Sequence, residues 1–539
     1  MRKGLSESLI ARVLGASPKW TIAELEKKFP PRNLPDGAMA TRFAPSPTGF
    51  MHIGNLYGML IDKKLAGQSG GVFFLRVEDT DTKREIKGAV DIVLKAAEKF
   101  NIIPDEGPQC DVISHARVKE NYGPYYQSER KEIYHSVAAE LLEKGKAYPC
   151  FLTAAEIDDI RTRQAAAGFA TGIYGEWAKW RNADEDEITR KLDSGAIPSI
   201  RLYSLGNKDQ RIFCKDEVRG SIAFPENDED IVLIKSNDGL PTYHFAHLVD
   251  DHFMGTTHVV RSEEWLPSLT LHVQLFNMMG WAPPAYIHTS TLDTIDVETG
   301  KQRKLSKRKD QFANIAYFSK VGFPPEAVLE YLFNIMNSAY EEDKAKGKIK
   351  TVWDCDLKIK KIPTSGALFD MKKLEWWSKE FIAGLSVDDL TRRVVDWAKE
   401  FGSDNDRLMI SDEKYLAAIL GIERDDPKRI RKDFITWKQT LDEIAYFFDE
   451  LFIPISEPVD KNILQKFLSS FDFKDGKDLW WEKITEIANG LGIKNGDAAM
   501  ALRVALTGRA QTPDLYSIMQ VMGGDRARGR IENAIKETK

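Results

Sequence analysis

Apolar positions fall into short continuous runs over roughly the first three hundred residues and into helical spacing after that. Residues 38–43 (Ala-Met-Ala-Thr-Arg-Phe) are apolar enough for a buried strand. The Ala-Pro-Ser-Pro-Thr-Gly that follows ends it, because each proline fixes φ and restrains the residue before it. His52-Ile53-Gly54-Asn55 then open a segment with Leu56, Met59, Leu60 and Leu65 at helical spacing. A second strand, GVFFLRVEDTD over residues 71–81, is apolar at its start and acidic at its end. The pattern predicts amphipathic helices over 91–100 and 132–144, strands within 197–203, 210–216 and 230–236, and a core-facing helix over 271–279. Ahead of these, Leu5, Leu9, Ile10, Val13 and Leu14 mark an amphipathic leader, followed by a short helix over 22–29 and a proline-rich linker to Gly37. The leader reads as a packing appendage, with an RNA or partner contact as the other reading. Past Phe312 the spacing is mainly helical, beginning with FSKVGFPPEAVLEYLFNIM.

A chain of 539 residues exceeds one core and suggests roughly three to five domains. The net charge of −6 means that any nucleic-acid contact rests on local basic patches. Cys110, Cys150, Cys214 and Cys355 lie far apart with no CxxC pair, which fits a reducing compartment and provides no disulfide framework. No apolar run approaches the ~20 residues of a membrane span, and no signal peptide precedes residue 40, so a cytoplasmic protein with no membrane contact is expected.

Strand, tight polar turn and helix in that order present free backbone N–H groups and a positive dipole end at residues 44–54, the physics of a phosphate site. Gly54 lets a ligand approach the backbone, and His52 is able to donate to a phosphate oxygen. Ligands of open parallel sheets sit beyond the carboxyl ends of strands, so Glu78, Asp79 and Asp81 are expected to face the same site. His244, His247 and His252 are spaced by three and five residues, which does not put all three on one helix face; no metal is expected there. Six basic residues lie between Lys301 and Asp310, a solvated loop or a set of movable cations.

These stretches together carry a family likeness. RFAPSPTGFMHIG, residues 42–54, resembles the HIGH signature of class I aminoacyl-tRNA synthetases in the form found in the glutamyl/glutaminyl branch. Lys304-Leu305-Ser306-Lys307-Arg308 matches the KMSKS signature, and LPTYHFAHLVDDHFMGTTHVVRSEEW (240–265) is similar to the branch's conserved-type stretch between the two. Tyr126-Gln-Ser-Glu-Arg130 resembles YRQSER with Tyr126 in place of arginine, and FDMKKLEW (369–376) resembles a stretch after which Ser378 replaces an asparagine. The closing ALRVALTGRAQTPDLYSIMQVMGGDRARGRI is similar to the end of the bacterial glutamyl type.

The resemblance implies an α/β Rossmann-like catalytic domain with an inserted acceptor-binding domain, followed by all-α stem-contact and anticodon-binding domains. The expected divisions are 1–38 (helical extension), 39–130 and 243–311 (catalytic halves), 131–242 (acceptor-end insertion), 312–394 (stem contact) and 395–539 (anticodon binding). Within the insertion, Lys215 and Arg219 are expected to meet phosphates. Some relatives hold zinc through a Cys-x-Cys pair where this chain has Cys150 and Leu152, so no zinc is expected.

The implied reaction joins L-glutamate to the 3′ end of tRNA(Glu): ATP-dependent formation of glutamyl-adenylate, then transfer to the terminal adenosine, releasing AMP and pyrophosphate. By the match, His52, Gly54, Lys304 and Lys307 carry the catalysis. Asn55, Glu264, Leu305, Ser306 and Arg308 join them around ATP, whose Mg²⁺ comes with the nucleotide. Arg42, Ala44, Ser46, Glu78, Tyr243, His247, Arg261 and Trp265 surround glutamate, with His247 standing where relatives present asparagine. A monomer is expected. The rival readings are a glutaminyl enzyme of the same branch, disfavoured because those carry β-barrel anticodon domains, and a catalytically inactive RNA-binding paralogue.

Overall fold

The computed structural model describes residues 3–47, 49–81, 88–108, 119–306, 308–425, 430–454 and 459–537. The chain divides into two compact units, one of residues 1–315 with 332–369 and one of residues 316–331 with 370–539.

The first unit begins with helices α1 (Glu7–Leu14) and α2 (Ile22–Lys28), then β1 (Ala40–Phe43), α3 (Ile53–Ser69), β2 (Val72–Leu75) and α4 (Ala89–Lys99). It continues with α5 (Lys131–Glu143), β3 (Ala147–Cys150), α6 (Ala154–Ala166), α7 (Glu185–Asp193), β4 (Ser199–Leu202), β5 (Arg211–Asp216), β6 (Gly220–Pro225) and β7 (Val232–Ile234). α8 (Tyr243–Phe253), β8 (His258–Ser262), α9 (Leu269–Met279), β9 (Ala285–Thr289), β10 (Leu292–Ile295) and β11 (Gln302–Lys304) follow, and after a helix at Tyr340–Ala345 comes β12 (Ala367–Leu368).

β1 pairs in parallel with β2, Ala40 opposite Val72 through Phe43 opposite Leu75. On its other side Ala40 N–H donates to Thr257 Oγ1 at 2.8 Å and Thr257 N–H returns a bond to the Ala40 carbonyl. β8 and β9 are parallel, β5 joins β9, and β6 folds back on β5 as an antiparallel hairpin. This places the carboxyl ends of β1, β2, β8 and β9 on one side, where ligands of parallel sheets bind. Separate sheets run β3-β4-β7 and β11-β10-β12.

α5, α8 and α9 share one apolar core with β3, β4 and β7 and with the leader, whose Leu5, Leu9, Ile10, Val13, Leu25 and Phe29 are all buried in it. The linker is anchored as well. Arg32 lies beneath the surface, donates both terminal nitrogens to Glu106 at 2.9 Å and its Nε to the Met254 carbonyl at 2.7 Å. The leader is therefore part of the first unit's core.

The Gln127–Arg130 turn is also internal. Gln127 and Arg130 donate to Asp250 at 2.8 and 2.7 Å, and Ser128 donates from its backbone and hydroxyl to Asp79. Leu152 packs beside Ile160, Ile173 and Ala178.

The second unit is helical around a continuous core that runs from Ile382 to Ile531. Ser378 is buried there with its hydroxyl on the Ile435 carbonyl at 2.5 Å. Trp480, Trp481, Met500, Arg503 and Leu515 line a cavity of about 910 Å³ in this unit. Among the described residues no helix is long and apolar enough to cross a membrane.

Candidate active site

The turn after β1 delivers His52 as the N-cap of α3, with backbone outside the helical region and its Nδ1 accepting the Gly54 N–H at 2.9 Å. A nitrogen that accepts carries no proton, so the neutral ring keeps its hydrogen on Nε2. One nitrogen closes the helix start, and the other carries the ring proton. Gly54 serves the same geometry, since a Cβ there would stand 3.1 Å from Nδ1. His52 also bridges to Asn314, and Ile315 N–H donates to the Met51 carbonyl, so the chain beyond the second signature is bonded to the first.

A cavity of about 650 Å³ opens over this turn. Arg42, Ala44, Ser46, His52, Gly54, Asn55, Glu78, Tyr243, Arg261, Glu264, Trp265, Lys304 and Leu305 all line it. The rest of its wall was not expected from the sequence: Phe43 from β1, Tyr57, Gly58 and Asp62 from α3, Val260 and Ser262 from β8, and Thr289 to Leu292 from the end of β9 to the start of β10. Asn55, Gly58 and Asp62 recur at helical spacing on an otherwise apolar helix, a small-and-polar stripe that is a readable signal.

At one end the charges are buried. Arg42 is 4% exposed and its Nε donates to Asp251 Oδ1 at 3.3 Å; Arg76 Nη1 donates to the same oxygen at 2.7 Å. Burial opposes the charge of Asp251, yet Arg76 and Arg42 hold its carboxyl well below the usual range. Glu78 accepts from Arg76 at 3.2 Å, and burial moves its pKa upward against the pull of Arg76 and Arg42. Asp62 is driven well above the ordinary carboxyl range by burial, and its Oδ1 has no partner among the described residues. Of the three acids expected beyond β2, Glu78 reaches the cavity. Asp79 is occupied by Ser128, and Asp81 is exposed and not on the cavity wall.

Tyr243 and Trp265 form an aromatic wall with ring centroids 4.3 Å apart. His247, four residues on, is completely buried behind that wall, with Nε2 at 2.9 Å from the Tyr286 hydroxyl. Its Nδ1 lies 2.5 Å from Asp251 Oδ2 but off the line of a good hydrogen bond. Burial lowers its pKa to about 4 although Asp251 pulls the other way. One turn of α8 carries Tyr243 to the cavity and the next carries His247 under Tyr286. His252 points elsewhere, paired with Glu26 at 2.7 Å and stacked on Trp281. The three histidines of this stretch thus have separate partners, and no group of three or more metal-ligating side chains gathers among the described residues.

The other end is wetter. Lys304 closes β11 with half its side chain exposed and its ammonium on Glu264, itself half exposed. Arg303 donates to Asp296 at 2.7 Å and to both oxygens of Asp310 at 2.7 and 2.9 Å, which fixes the two ends of the KLSKR loop. Leu305 is buried against the cavity, whereas Ser306 and Arg308 lie beyond its wall. Lys307 falls outside the described residues. In the hairpin β5-β6, Lys215 is exposed and paired with Glu217, and Arg219 is held by Glu263 at 2.7 Å and the His288 carbonyl.

Residues 38–376 match the family model described as tRNA synthetases class I (E and Q), catalytic domain, and residues 389–535 match an anticodon binding domain. A glutamate--tRNA ligase of Clostridium perfringens is 41% identical, over 94% of this chain and 96% of its own length. The glutamate--tRNA ligase of Acetivibrio thermocellus is 42% identical over 94% and 95%. The crystal structure of a glutamate tRNA ligase from Elizabethkingia meningosepticum, in complex with its amino acid, superposes with a TM-score of 0.77 at 29% identity, covering 93% of this chain and all of that one. This chain thus carries a class I catalytic region followed by an anticodon-binding region. The chain belongs to the class I tRNA synthetases of the E and Q type.

Proposed function

We propose that this protein is a glutamate--tRNA ligase. It condenses L-glutamate with ATP to glutamyl-adenylate and pyrophosphate, then moves the glutamyl group to the terminal adenosine of tRNA(Glu), releasing AMP. The observation that carries this reading is the single cavity with two buried arginines, Arg42 and Arg261, at one end and His52 and Lys304 at the other. Guanidinium forks match carboxylates, and a helix N-terminus with a nearby ammonium matches phosphates. The near full-length likeness to glutamate--tRNA ligases supports glutamate over glutamine, as does the helical C-terminal unit.

In this reading Arg42 and Arg261 take the substrate's carboxylates, Glu78 its ammonium group, and Tyr243, Trp265, Ala44 and Ser46 close around its carbon chain. The glutamate carboxylate attacks the α-phosphorus of ATP and pyrophosphate leaves. Charge collects on phosphoryl oxygens, so donors already aimed at them lower the barrier more than proton transfer does. The Nε2–H of His52 and the N–H groups of Gly54 and Asn55 are those donors. Lys304 and Lys307 follow the departing pyrophosphate, since lysine is a mobile point charge. Glu264 contacts the nucleoside, with Leu305, Ser306 and Arg308 shaping the loop. Mg²⁺ supplies charge neutralisation and travels with the phosphates, and no zinc takes part.

The segment 131–242 would receive the acceptor end, 312–394 the stem and 395–539 the anticodon. The cavity with Arg503, Trp481 and Met500 offers a guanidinium and apolar faces of the kind on which bases stack. The enzyme would act as a monomer in the cytoplasm.

Pyrophosphate exchange tests the reading. Exchange is expected with glutamate when tRNA is present, and not with glutamine. Exchange driven by glutamine would support the glutaminyl alternative, and none under any condition would support an inactive paralogue. Charging purified tRNA(Glu) and tRNA(Gln) side by side defines the tRNA range.

A further inference from the structure

Arg261 leaves β8 into surroundings that hold no carboxylate partner for it among the described residues. Its Nε donates to His288 Nε2 at 2.9 Å, and its Nη1 donates to His272 Nδ1 at 3.1 Å, with the Tyr243 hydroxyl at 3.4 Å. Its Nη2 is buried and without a partner among the described residues, although the side chain lines the cavity. A guanidinium has donors only, so both imidazole nitrogens facing it are unprotonated acceptors. His288 therefore keeps its proton on Nδ1, which faces Asp216 Oδ2 at 2.7 Å, while its backbone N–H donates to that same oxygen at 3.0 Å. His272 keeps its proton on Nε2, which faces His244 Nδ1 at 2.9 Å. One cation thus sets the tautomers of three histidines in succession. Burial reinforces the neutral state, lowering His272 well below and His288 below the ordinary imidazole value, and His244 to about 4.

Arg42, at the same end of the cavity, faces the Asp251 carboxylate. A carboxylate in place of either imidazole would pair with Arg261, neutralise it and compete with an anionic ligand. Neutral acceptors hold the fork as firmly in direction while leaving its charge intact.

We propose that His272 and His288 are positioning residues for amino-acid binding: they fix Arg261 through neutral nitrogen acceptors, so that its charge and its remaining Nη2 are reserved for a carboxylate of the substrate. The proposal rests on the glutamate reading above, and the two fail in different experiments. That reading fails if the unaltered enzyme shows no glutamate-dependent exchange; this one fails in the variants below while the unaltered enzyme is active.

The geometry sets a crossed test. Arg261 uses Nδ1 of His272, a position that the amide oxygen of asparagine reproduces, and Nε2 of His288, a position that the amide oxygen of glutamine reproduces. His272→Asn and His288→Gln are expected to keep KM for glutamate within about threefold, and His272→Gln and His288→Asn to raise it about tenfold or more. KM for ATP should stay within about twofold in all four, because the described partners of Arg261 are His272, His288 and Tyr243 and not Lys304 or His52. Should one variant fail to fold, the pair at the other position reads the same crossing. Equal effects of asparagine and glutamine at both positions, or KM for ATP rising in parallel with KM for glutamate, would overturn the proposal.

Discussion

At the Arg42–Arg261 end of the cavity the charged groups are at least nine-tenths buried and bonded to the protein, whereas at the Lys304 end the ammonium and its Glu264 partner each stand half in water. Both ends belong to one cavity and differ in what they must do. Choosing glutamate is a matter of geometry that exists before the ligand arrives, and groups held in advance lose little freedom on binding. Expelling pyrophosphate displaces charge during the step, and a half-solvated lysine on a loop is able to follow it. On the proposed reading, recognition is built into strand ends, and turnover into a helix start, a hairpin and its loop.

Four experiments sharpen or break that contrast. The largest effect is expected for Arg42→Leu, which removes the guanidinium and leaves Asp251 short of one cation. A loss of about 10²–10³-fold in kcat/KM for glutamate is expected from stranding a buried charge partner. Exchange kinetics within tenfold of the unaltered enzyme would show that this end does not select the substrate.

His52 comes next, because its two nitrogens do different work. His52→Ala should lower kcat for adenylate formation by about 10²-fold and, through the lost cap, destabilise the fold by about 1 kcal/mol. His52→Asn retains a capping oxygen and should recover the stability but not the rate. Melting curves beside single-turnover kinetics separate the two, and recovery of both would reduce the histidine to a cap.

Lys304→Ala should slow turnover by about tenfold while KM for glutamate stays put, as expected for a group acting on the transition state rather than on the bound acid. A parallel rise in that KM would erase the distinction between the two ends.

The smallest effect is on stability with pH. His244 and His247 titrate near 6.5 when unfolded and are lowered to about 4 when buried. The unfolded chain therefore binds more protons below pH 6.5, so their contribution is complete above that value and is lost as pH falls from about 6.5 towards 4. The melting temperature should decline over that interval and, in His247→Asn, decline less steeply. An unchanged slope would mean that His247 is not held neutral by burial.

The residues legible in the sequence are those at breaks in the hydrophobic pattern. Arg42 ends a strand, His52 starts a helix, Glu78 follows a strand, and Lys304 sits in a run of cations; each is polar where its neighbours are not. Asp62, His272 and His288 lie inside a helix or strand, where a polar residue reads as a satisfied member of the core. Only the folded arrangement of α9 beside β8 and β9 brings His272 and His288 to Arg261. His247 was misleading for a related reason: it shares a helix face with Tyr243, but the cavity ends after the first turn. In the leader, the apolar spacing predicted packing, while the ion pair that anchors it joins Arg32 to Glu106, too distant for any local pattern to reveal.

The position of β1 has a consequence for how the protein is made. Its pairing with β2 needs only the chain to Leu75, but the bond that covers its other edge comes from Thr257, 217 positions beyond Ala40. At ordinary rates of synthesis that interval is about 10–40 s. During it the strand carrying Arg42 is an open edge, the kind of surface that invites pairing with a stranger. Asp251 and Thr257 arrive on the ribosome within a few residues of each other, so Arg42 gains its counter-charge and β1 its second neighbour at almost the same moment. Premature release or a stall before that point would leave a half-built sheet with its recognition strand exposed.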